Sequence, residues 1–390
     1  MSDNFTQTSS TSWFTRLKNS AIGTIAGLML FLSAFAVLFW NEGRAVDTHK
    51  MLQEGAGAVV SISSSTVDPA NAGKLVHVSG KTSTNDVLED PIFGVSLNAI
   101  VLRRKVEMLQ WQETKKSVTT KKVGGGTETK STYSYKKDWS ESLIDSNKFE
   151  YADGHENPAF MIFETESWNA KNVSLGAFKL TPSQIGNIGG AEKYDLTKEN
   201  RIKKKIAGKA RVVGGVMFIG SKAQDKVGDL RVQMEVVYPG DVSIIAAQSG
   251  NSFAPYATKV GGSISMLRTG VKSAAEMFQA AEAANTTLTW VMRFVGFMMM
   301  FSGLKMIVRI LSVLADIVPL FGSIVSGGTS LIALLVALFL SLITIAIAWI
   351  FYRPLIGGIL ILVAIGALVM ARSKSKKEAP AAEDEAAFGR

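Results

Sequence analysis

The sequence predicts an α+β membrane protein: one N-terminal transmembrane helix, a large β-rich extramembrane domain with a helical stalk, and a C-terminal cluster of three transmembrane helices. Three observations predict it. Ala21–Trp40 runs without a charge near the start of the chain. A dense apolar block, from about Leu288 to Ala371, fills the C-terminal end. Between them lie roughly 245 residues of soluble character, marked by strand-like alternation.

Residues 1–19 read as a cytoplasmic tail, with Arg16 and Lys18 just ahead of the apolar run. The first span is 20–40. About 20 residues at ~1.5 Å each give ~30 Å, the thickness of the hydrocarbon core. Ser33-Ala34-Phe35-Ala36 would suit signal-peptide cleavage, but the apolar run continues through Val37, Leu38 and Phe39, which favours an uncleaved anchor. Trp40 and Arg44 are expected at the membrane interface, with Glu42 as an ion-pair partner for Arg44. Gly23 and Gly27 form a G-x-x-x-G on this span. That spacing lets helices approach closely, against another copy or against the C-terminal bundle.

Residues 41–287 read as the β-rich domain, periplasmic or lumenal. Lys74–Gly80 and Val95–Val106 have strand spacing, and Glu107–Glu113 continues the latter. Lys121–Tyr135 reads as a hairpin with Thr- and Tyr-rich arms around Gly124-Gly125-Gly126. Val212–Ile219, Leu230–Val237 and Val242–Ala247 read as further strands. Trp111 reads as strand-face packing. Gly270–Asn285 carries an apolar stripe at helical period (Val271, Ala274, Met277, Phe278, Ala281), which leads into the second span as a stalk.

The second span is 288–312, with Arg293 at one end and Lys305 and Arg309 at the other. A charge at mid-bilayer costs ~2.5–3.5 kcal/mol on insertion scales, whereas basic side chains near a helix end snorkel to the headgroups. From Ile317 to Tyr352 no residue is charged. About 36 residues make ~54 Å of helix, too long for one span. Pro319, Gly322 and Gly327-Gly328 are the expected breaks. Residues 313–328 therefore read as an interfacial or re-entrant segment and 329–352 as the third span. Trp349, Tyr352 and Arg353 are expected interface anchors. Arg353-Pro354 turns the chain into a fourth span at 354–371. The tail, 372–390, starts with Arg372, Lys374, Lys376 and Lys377. Four spans place both termini in the cytoplasm and the domain outside, and the flanking charges agree.

Net charge is +9, and these flanking clusters carry part of it. The chain has no cysteine, which excludes disulfides, thiolate metal sites and cysteine nucleophiles. Its three histidines, His49, His77 and His155, are too far apart in sequence to suggest a metal centre. No G-x-S-x-G, phosphate loop, H-E-x-x-H or dinucleotide fingerprint occurs. The sequence therefore assigns no catalytic, cofactor-binding or metal-ligating residue and implies a protein that is not an enzyme and needs no cofactor. Arg201, Lys203-Lys204-Lys205, Lys209 and Arg211 form a basic stretch. It reads as a solvated loop rather than a nucleic-acid site, because the topology puts it outside the cytoplasm.

A set of local strings, in order, resembles the TMEM43 (LUMA) family. These are Asn41-Glu42-Gly43-Arg44-Ala45-Val46, Asp90-Pro91-Ile92-Phe93-Gly94-Val95, Arg103 with Val106–Glu113, and Val227–Val232. Leu288-Thr289-Trp290-Val291-Met292-Arg293, Asp316–Leu320, and Ala348-Trp349 to Leu355 follow. They extend over roughly residues 35 to 360. The resemblance implies one N-terminal span, a lumenal domain and three C-terminal spans. It also implies an endoplasmic-reticulum or inner-nuclear-membrane setting in animals, self-association, and no catalytic residues. The chain departs from the family in a Lys/Thr/Gly-rich insert near 115–130 and a longer tail. Its lack of cysteine points to a bacterial member, with the domain in the periplasm of an inner membrane. The functional expectation is a non-enzymatic scaffold that self-associates and presents the domain to lipids or to membrane and envelope proteins. Two alternatives are a transporter or channel component using Lys305, Arg309 and Asp316, and a membrane-associated hydrolase of envelope lipids or peptides.

Overall fold

The computed structural model describes residues 4–198, 210–221, 223, 226–317 and 319–355, with isolated positions up to 370; the side chains at 198 and 319–326 are left aside. Most of the fourth span expected at 354–371, the tail at 372–390 and the lysine stretch within 201–209 lie outside the described residues. The chain divides into two compact units. One holds residues 1–11, 50–122 and 126–283; the other holds 12–49, 123–125 and 284–390.

The first unit is β-rich. One mixed-length sheet orders its strands Asn4–Thr11, Thr127–Ser140, Val101–Lys121, Leu230–Val237, Val216–Ile219 and Ala210–Val213. A second runs through Phe178–Lys179, Ser174–Leu175, Leu75–Ser83, Asp241–Ser249 and Ser252–Ala254. Strand alternation explains the layering. Leu230, Val232, Met234 and Val236 are buried and join Val76, Val78, Val242, Ile244 and Ala246 in one core with Phe93, Leu102, Phe178 and Phe253. Each such side chain contributes about 1.5–3 kcal/mol relative to exposure. The opposite face of the second sheet buries Leu75 and Ile245 against Leu52, Ile264, Met277 and Phe278. That sheet is therefore apolar on both faces, and its strands read as near-continuous apolar runs rather than alternating ones.

Two strand readings are refined. Val212–Ile219 is a pair of short strands, because Gly214 (φ 58°) and Gly215 (φ 80°) turn the chain in the left-handed region that an Asn/Gly-type two-residue hairpin needs. Val95–Val106 breaks at Ala99-Ile100, where the Ile100 amide donates to the Val237 carbonyl and the strand changes partners. The expected glycine turn is present: the Lys122 amide donates to the Gly126 carbonyl across it (2.8 Å). Its arms are far longer than the sequence suggests, 21 residues in Val101–Lys121 and 14 in Thr127–Ser140. The N-terminal strand Asn4–Thr11 adds to the hairpin's outer edge, with Asn4 opposite Ser134 and Thr11 opposite Thr127.

The long helices are α1 (Trp13–Ala58), α3 (Ala274–Ala315) and α4 (Pro319–Tyr352); α2 (Pro182–Gly186) is a single turn closed by a Thr181–Gln184 capping box. α1 continues well past Trp40, since no proline follows and the polar residues beyond it are good helix formers or find partners. α3 starts after Gly270. The Glu276 amide donates to Ser273 Oγ (3.2 Å) and the Ser273 amide to Glu276 Oε2 (2.7 Å), a reciprocal N-terminal cap. From there it runs on without a break into the apolar stretch. α4 begins at Pro319, a residue suited to a first helical position, and its backbone stays helical through Gly327-Gly328. α1, α3 and Gly327–Tyr352 of α4 are long and apolar enough to cross a membrane.

In the second unit α1 and α3 run antiparallel. Gly27 lies against Gly303 and Met306, and Leu38 lies against Gly296. A Cβ added at Gly303 would sit 2.7 Å from both the Gly27 carbonyl oxygen and the Phe31 nitrogen, that is, against backbone. Gly23 faces open space. Gly303→Leu is therefore expected to push the helices apart at a cost of about 1–3 kcal/mol or more. Gly23→Ala should be neutral or stabilising by up to ~1 kcal/mol through helix propensity. Thermal unfolding in detergent distinguishes the two, and an unchanged midpoint for Gly303→Leu would contradict the close approach.

Candidate functional site: a buried ionic cluster joining three helices

Towards the second half of α1, the sequence Asn41-Glu42-Gly43-Arg44 places one polar residue after another on a helix that already carries a long apolar stretch. Charges there are costly unless each is paired and hydrogen-bonded. For Glu42 the structure supplies both, and for Arg44 it supplies hydrogen bonds to neutral groups. Glu42 is fully buried (0% exposed). Arg293 of α3 grips it with two parallel bonds, Nε to Oε1 at 2.6 Å and Nη2 to Oε2 at 2.8 Å. Trp349 Nε1 of α4 donates to Oε2 at 2.8 Å. The planar guanidinium also lies over the rings of Trp290 (4.7 Å) and Trp349 (5.6 Å). A bidentate, ring-stacked geometry of this kind is specific to arginine.

Arg44 points elsewhere. Its Nη1 donates to Asn285 Oδ1 (2.9 Å), and its Nη2 to Thr289 Oγ1 (2.9 Å) and Asn41 Oδ1 (3.2 Å). Asn41 Nδ2 donates to the Thr289 carbonyl, and Asn285 Nδ2 to the Ala45 carbonyl. The expected Glu42–Arg44 pair does not form. Residues two apart on a helix face different directions, and each goes to its own partner. Gly43 completes the joint: a Cβ there would meet the Tyr352 ring at 2.7 Å, and Tyr352 also packs on Phe39.

The expected anchors thus have distinct surroundings. Arg44, Arg293, Trp349 and Tyr352 meet in the cluster. Trp40 is exposed, and the Arg353 amide donates to the Trp349 carbonyl. Lys305 and Arg309 are exposed on α3, with Lys305 Nζ 5.9 Å from the Phe301 ring centre. Asp316 is 1% exposed and accepts from Arg16 Nη2 at 2.5 Å. Arg16 also donates to the Gly125 carbonyl. Beside it, Trp13 Nε1 donates to the Val313 carbonyl (2.9 Å) and the Gly124 amide to the Ile317 carbonyl (3.1 Å). This second polar joint fastens the hairpin turn to the start of α1 and the end of α3.

Asn41, Asn285, Thr289, Trp13 and Gly125 make polar contacts in these two joints that the sequence alone did not assign. A signal for the cluster existed. Three of the strings that carried the resemblance, 41–46, 288–293 and 348–355, come from three different helices and converge here.

The β-rich unit has polar clusters of its own. Tyr135 donates to Glu113 Oε2 (2.5 Å) and stacks on His155 (3.9 Å between ring centres). Burial, reinforced by the Glu113 carboxylate, pushes the Tyr135 phenol up to about 12, so it stays a hydrogen-bond donor. An open cleft of about 380 Å³ is lined by Thr84, Asp86, Asn172 and Lys179 among others. Asp86 is held below the usual carboxylate range, mainly by the Asn172 amide and side chain and then by the Lys171 amide. The lining residues include no histidine to act as a base. Among the described residues no three His, Asp or Glu side chains gather as a metal-holding group.

Comparison of the sequence with known proteins matches the chain to a family. The family model for "Transmembrane protein 43" matches residues 108–354. Transmembrane protein 43 of Rattus norvegicus is 36% identical over 374 residues, covering 92% of both chains, and that of Homo sapiens is 36% identical over 372 residues with the same coverage. The Drosophila melanogaster homolog is 30% identical over 343 residues, 86% of this chain and 90% of its own. No solved structure matches. With its helices, its β-rich unit and nearly its whole length accounted for in this way, the chain belongs to the transmembrane protein 43 family.

Proposed function

We propose that the protein is a non-enzymatic integral membrane scaffold, which self-associates in the bilayer and presents its β-rich unit to protein or lipid partners. The observation that carries this reading is the pairing of Glu42. Both carboxylate oxygens already accept hydrogen bonds, from Arg293 and Trp349, and the side chain is fully buried. Its chemistry is that of a joint, which fixes three helices relative to one another. The outward faces support association. Ile22, Ile25, Met29 and Leu32 on α1, and Leu331, Leu335, Phe339 and Leu342 on α4, are exposed. They are apolar at helical spacing and suit lipid or a second copy. Arg16 and Lys18 favour a cytoplasmic start for α1 and an extracytoplasmic β-rich unit. That side is the periplasm in a bacterial inner membrane, or the lumen in an endoplasmic-reticulum or nuclear-envelope membrane.

Native mass spectrometry of the protein released from nanodiscs tests the proposal. A defined homo-oligomer is expected. A monomer, together with crosslinking in native membranes that finds neither self-contacts nor a stable partner, would overturn it.

A further inference from the structure

The cleft of about 380 Å³ lies wholly within the β-rich unit and has two halves. One half is a row across three paired strands. Ser83, at the end of Leu75–Ser83, stands opposite Ser174, and Ser174 stands opposite Lys179 of Phe178–Lys179. Directly opposed residues of antiparallel strands share a face, so the row presents two hydroxyls and an ammonium together. The Oγ atoms of Ser83 and Ser174 are 3.1 Å apart, and a hydroxyl bonded once keeps capacity for a further bond.

The other half is a pair of loops tied by Asp86. Its Oδ2 accepts from the Lys171 amide (2.6 Å) and the Asn172 amide (2.9 Å), and its Oδ1 from Asn172 Nδ2 (3.3 Å). Thr84 Oγ1 donates to the Asn172 carbonyl (2.6 Å). Asn98 Nδ2 donates to the Thr84 and Asp86 carbonyls (2.8 and 2.9 Å). Val173 and Leu180 are buried and add an apolar part to the wall, where the Leu180 amide donates to the Val173 carbonyl (2.9 Å). A frame bonded in this way needs little ordering when a ligand enters.

The groups left over are of one kind. Among the described residues, no hydrogen bond or ion pair engages the side chains of Asn85, Lys171 or Lys179, all of which line the cleft. Two lysines stand against one aspartate, and that aspartate already accepts three bonds from its own loops. The cleft therefore has spare donors and spare positive charge. An anion matches the two ammonium groups. A hydroxylated carbon skeleton matches the serine pair, the Asn85 amide and the Val173–Leu180 wall.

We infer that this cleft binds a small phosphorylated polyol, with Lys171 and Lys179 on the phosphate and Ser83, Ser174 and Asn85 on the hydroxyls. Its volume is at the small end for ligand pockets, which suits a single such group rather than a polymer. A free phosphate ester and a lipid headgroup share this chemistry and differ in charge: a phosphate monoester carries about −1.5 to −2 at neutral pH, whereas a diester carries a single negative charge. The site needs one copy of the chain only, so it stands or falls apart from self-association.

Isothermal titration calorimetry of the full chain in phosphatidylcholine nanodiscs tests this, with glycerol, inorganic phosphate, glycerol 3-phosphate and glycerophosphoglycerol as probes. At least one ester is expected to bind about tenfold or more tightly than either glycerol or inorganic phosphate. Preference for glycerol 3-phosphate assigns a free ester, and preference for glycerophosphoglycerol a lipid headgroup. Lys171→Glu with Lys179→Glu should abolish the binding. Ser83→Ala with Ser174→Ala should weaken the ester by about tenfold and leave inorganic phosphate unchanged. In the unaltered chain, the saturating ester should shield Lys171 and Lys179 from an amine-acylating reagent, read by mass spectrometry. No binding of either ester, or equally tight binding of glycerol or inorganic phosphate, would overturn the inference. So would binding that survives the lysine reversals, or lysines that stay reactive at saturation. An oligomer that binds neither ester sinks this inference alone, and a monomer that binds one sinks self-association alone.

Discussion

Glu42→Ala is expected to destabilise the helix unit by about 3–5 kcal/mol, because it strands a buried guanidinium. Arg293 would keep only its ring contacts with Trp290 and Trp349, worth about 0.5–2 kcal/mol each at most, and its Nε and Nη2 would lose both acceptors. Trp349 Nε1 would lose its acceptor as well. Glu42→Gln should cost less, since one side-chain oxygen remains to accept. The sharper test is the pair Glu42→Met with Arg293→Met. Removing both charges removes the desolvation cost along with the attraction, and apolar replacements of buried pairs are often neutral or stabilising. The double variant should therefore be more stable than Glu42→Ala, a coupling of several kcal/mol that independent sites would not show. Unfolding in mixed micelles, followed by tryptophan fluorescence, reads this directly because two tryptophans line the site. A Glu42→Ala cost below ~1 kcal/mol would mean that the cluster does not hold the helices.

The N-terminal helix and the two long apolar helices α3 and α4 were legible in the sequence because the signals are long. Twenty uncharged residues, or a run such as Ile317–Tyr352, leave few alternatives. Leu230–Val237 was legible for the same reason at shorter range: it alternates, and its bounds match the strand. What escaped was polar. Asn4–Thr11 has no apolar alternation to mark it as a strand; only its pairing with the hairpin makes it one. The reach of α1 past Trp40 was hidden because Asn41, Glu42 and Arg44 look like a helix end until their partners, some 240 to 300 residues away, are known. Long-range satisfaction of polar groups is not encoded in local periodicity. The family strings registered those positions as a pattern without saying that they touch.

Arg104 is the corresponding position in the β-rich unit, and Arg104→Met is expected to cost about 3–5 kcal/mol. The side chain is 1% exposed. Its Nη1 donates to Asp90 Oδ2 (2.7 Å), Nη2 to Glu166 Oε2 (2.9 Å) and Nε to the Glu164 carbonyl (2.9 Å). The guanidinium also lies 5.4 Å from the Phe93 ring centre and 5.3 Å from that of Trp168. The loss is dominated by Asp90, which is 0% exposed. Its Oδ1 would still accept from the Ile92 and Phe93 amides, but the carboxylate would keep its charge without a counter-charge. Arg104→Lys should fall between wild type and Arg104→Met, since a single ammonium cannot reach three acceptors in a fork. Adding Asp90→Asn to Arg104→Met should recover part of the loss, because the stranded charge is gone while the two amide bonds can persist. With Asp90→Asn alone added, the five proteins can be compared by denaturant unfolding, and strict additivity of Arg104→Met and Asp90→Asn would refute a direct ion pair. Arg104 sits where the long hairpin is rooted in the core, and it ties that root to the 90–93 turn, to the Glu164 carbonyl and to the strand Glu166–Asn169. Loosening it should therefore expose the hairpin base to proteolysis before the rest of the sheet, an order of cleavage that simple loss of global stability would not produce.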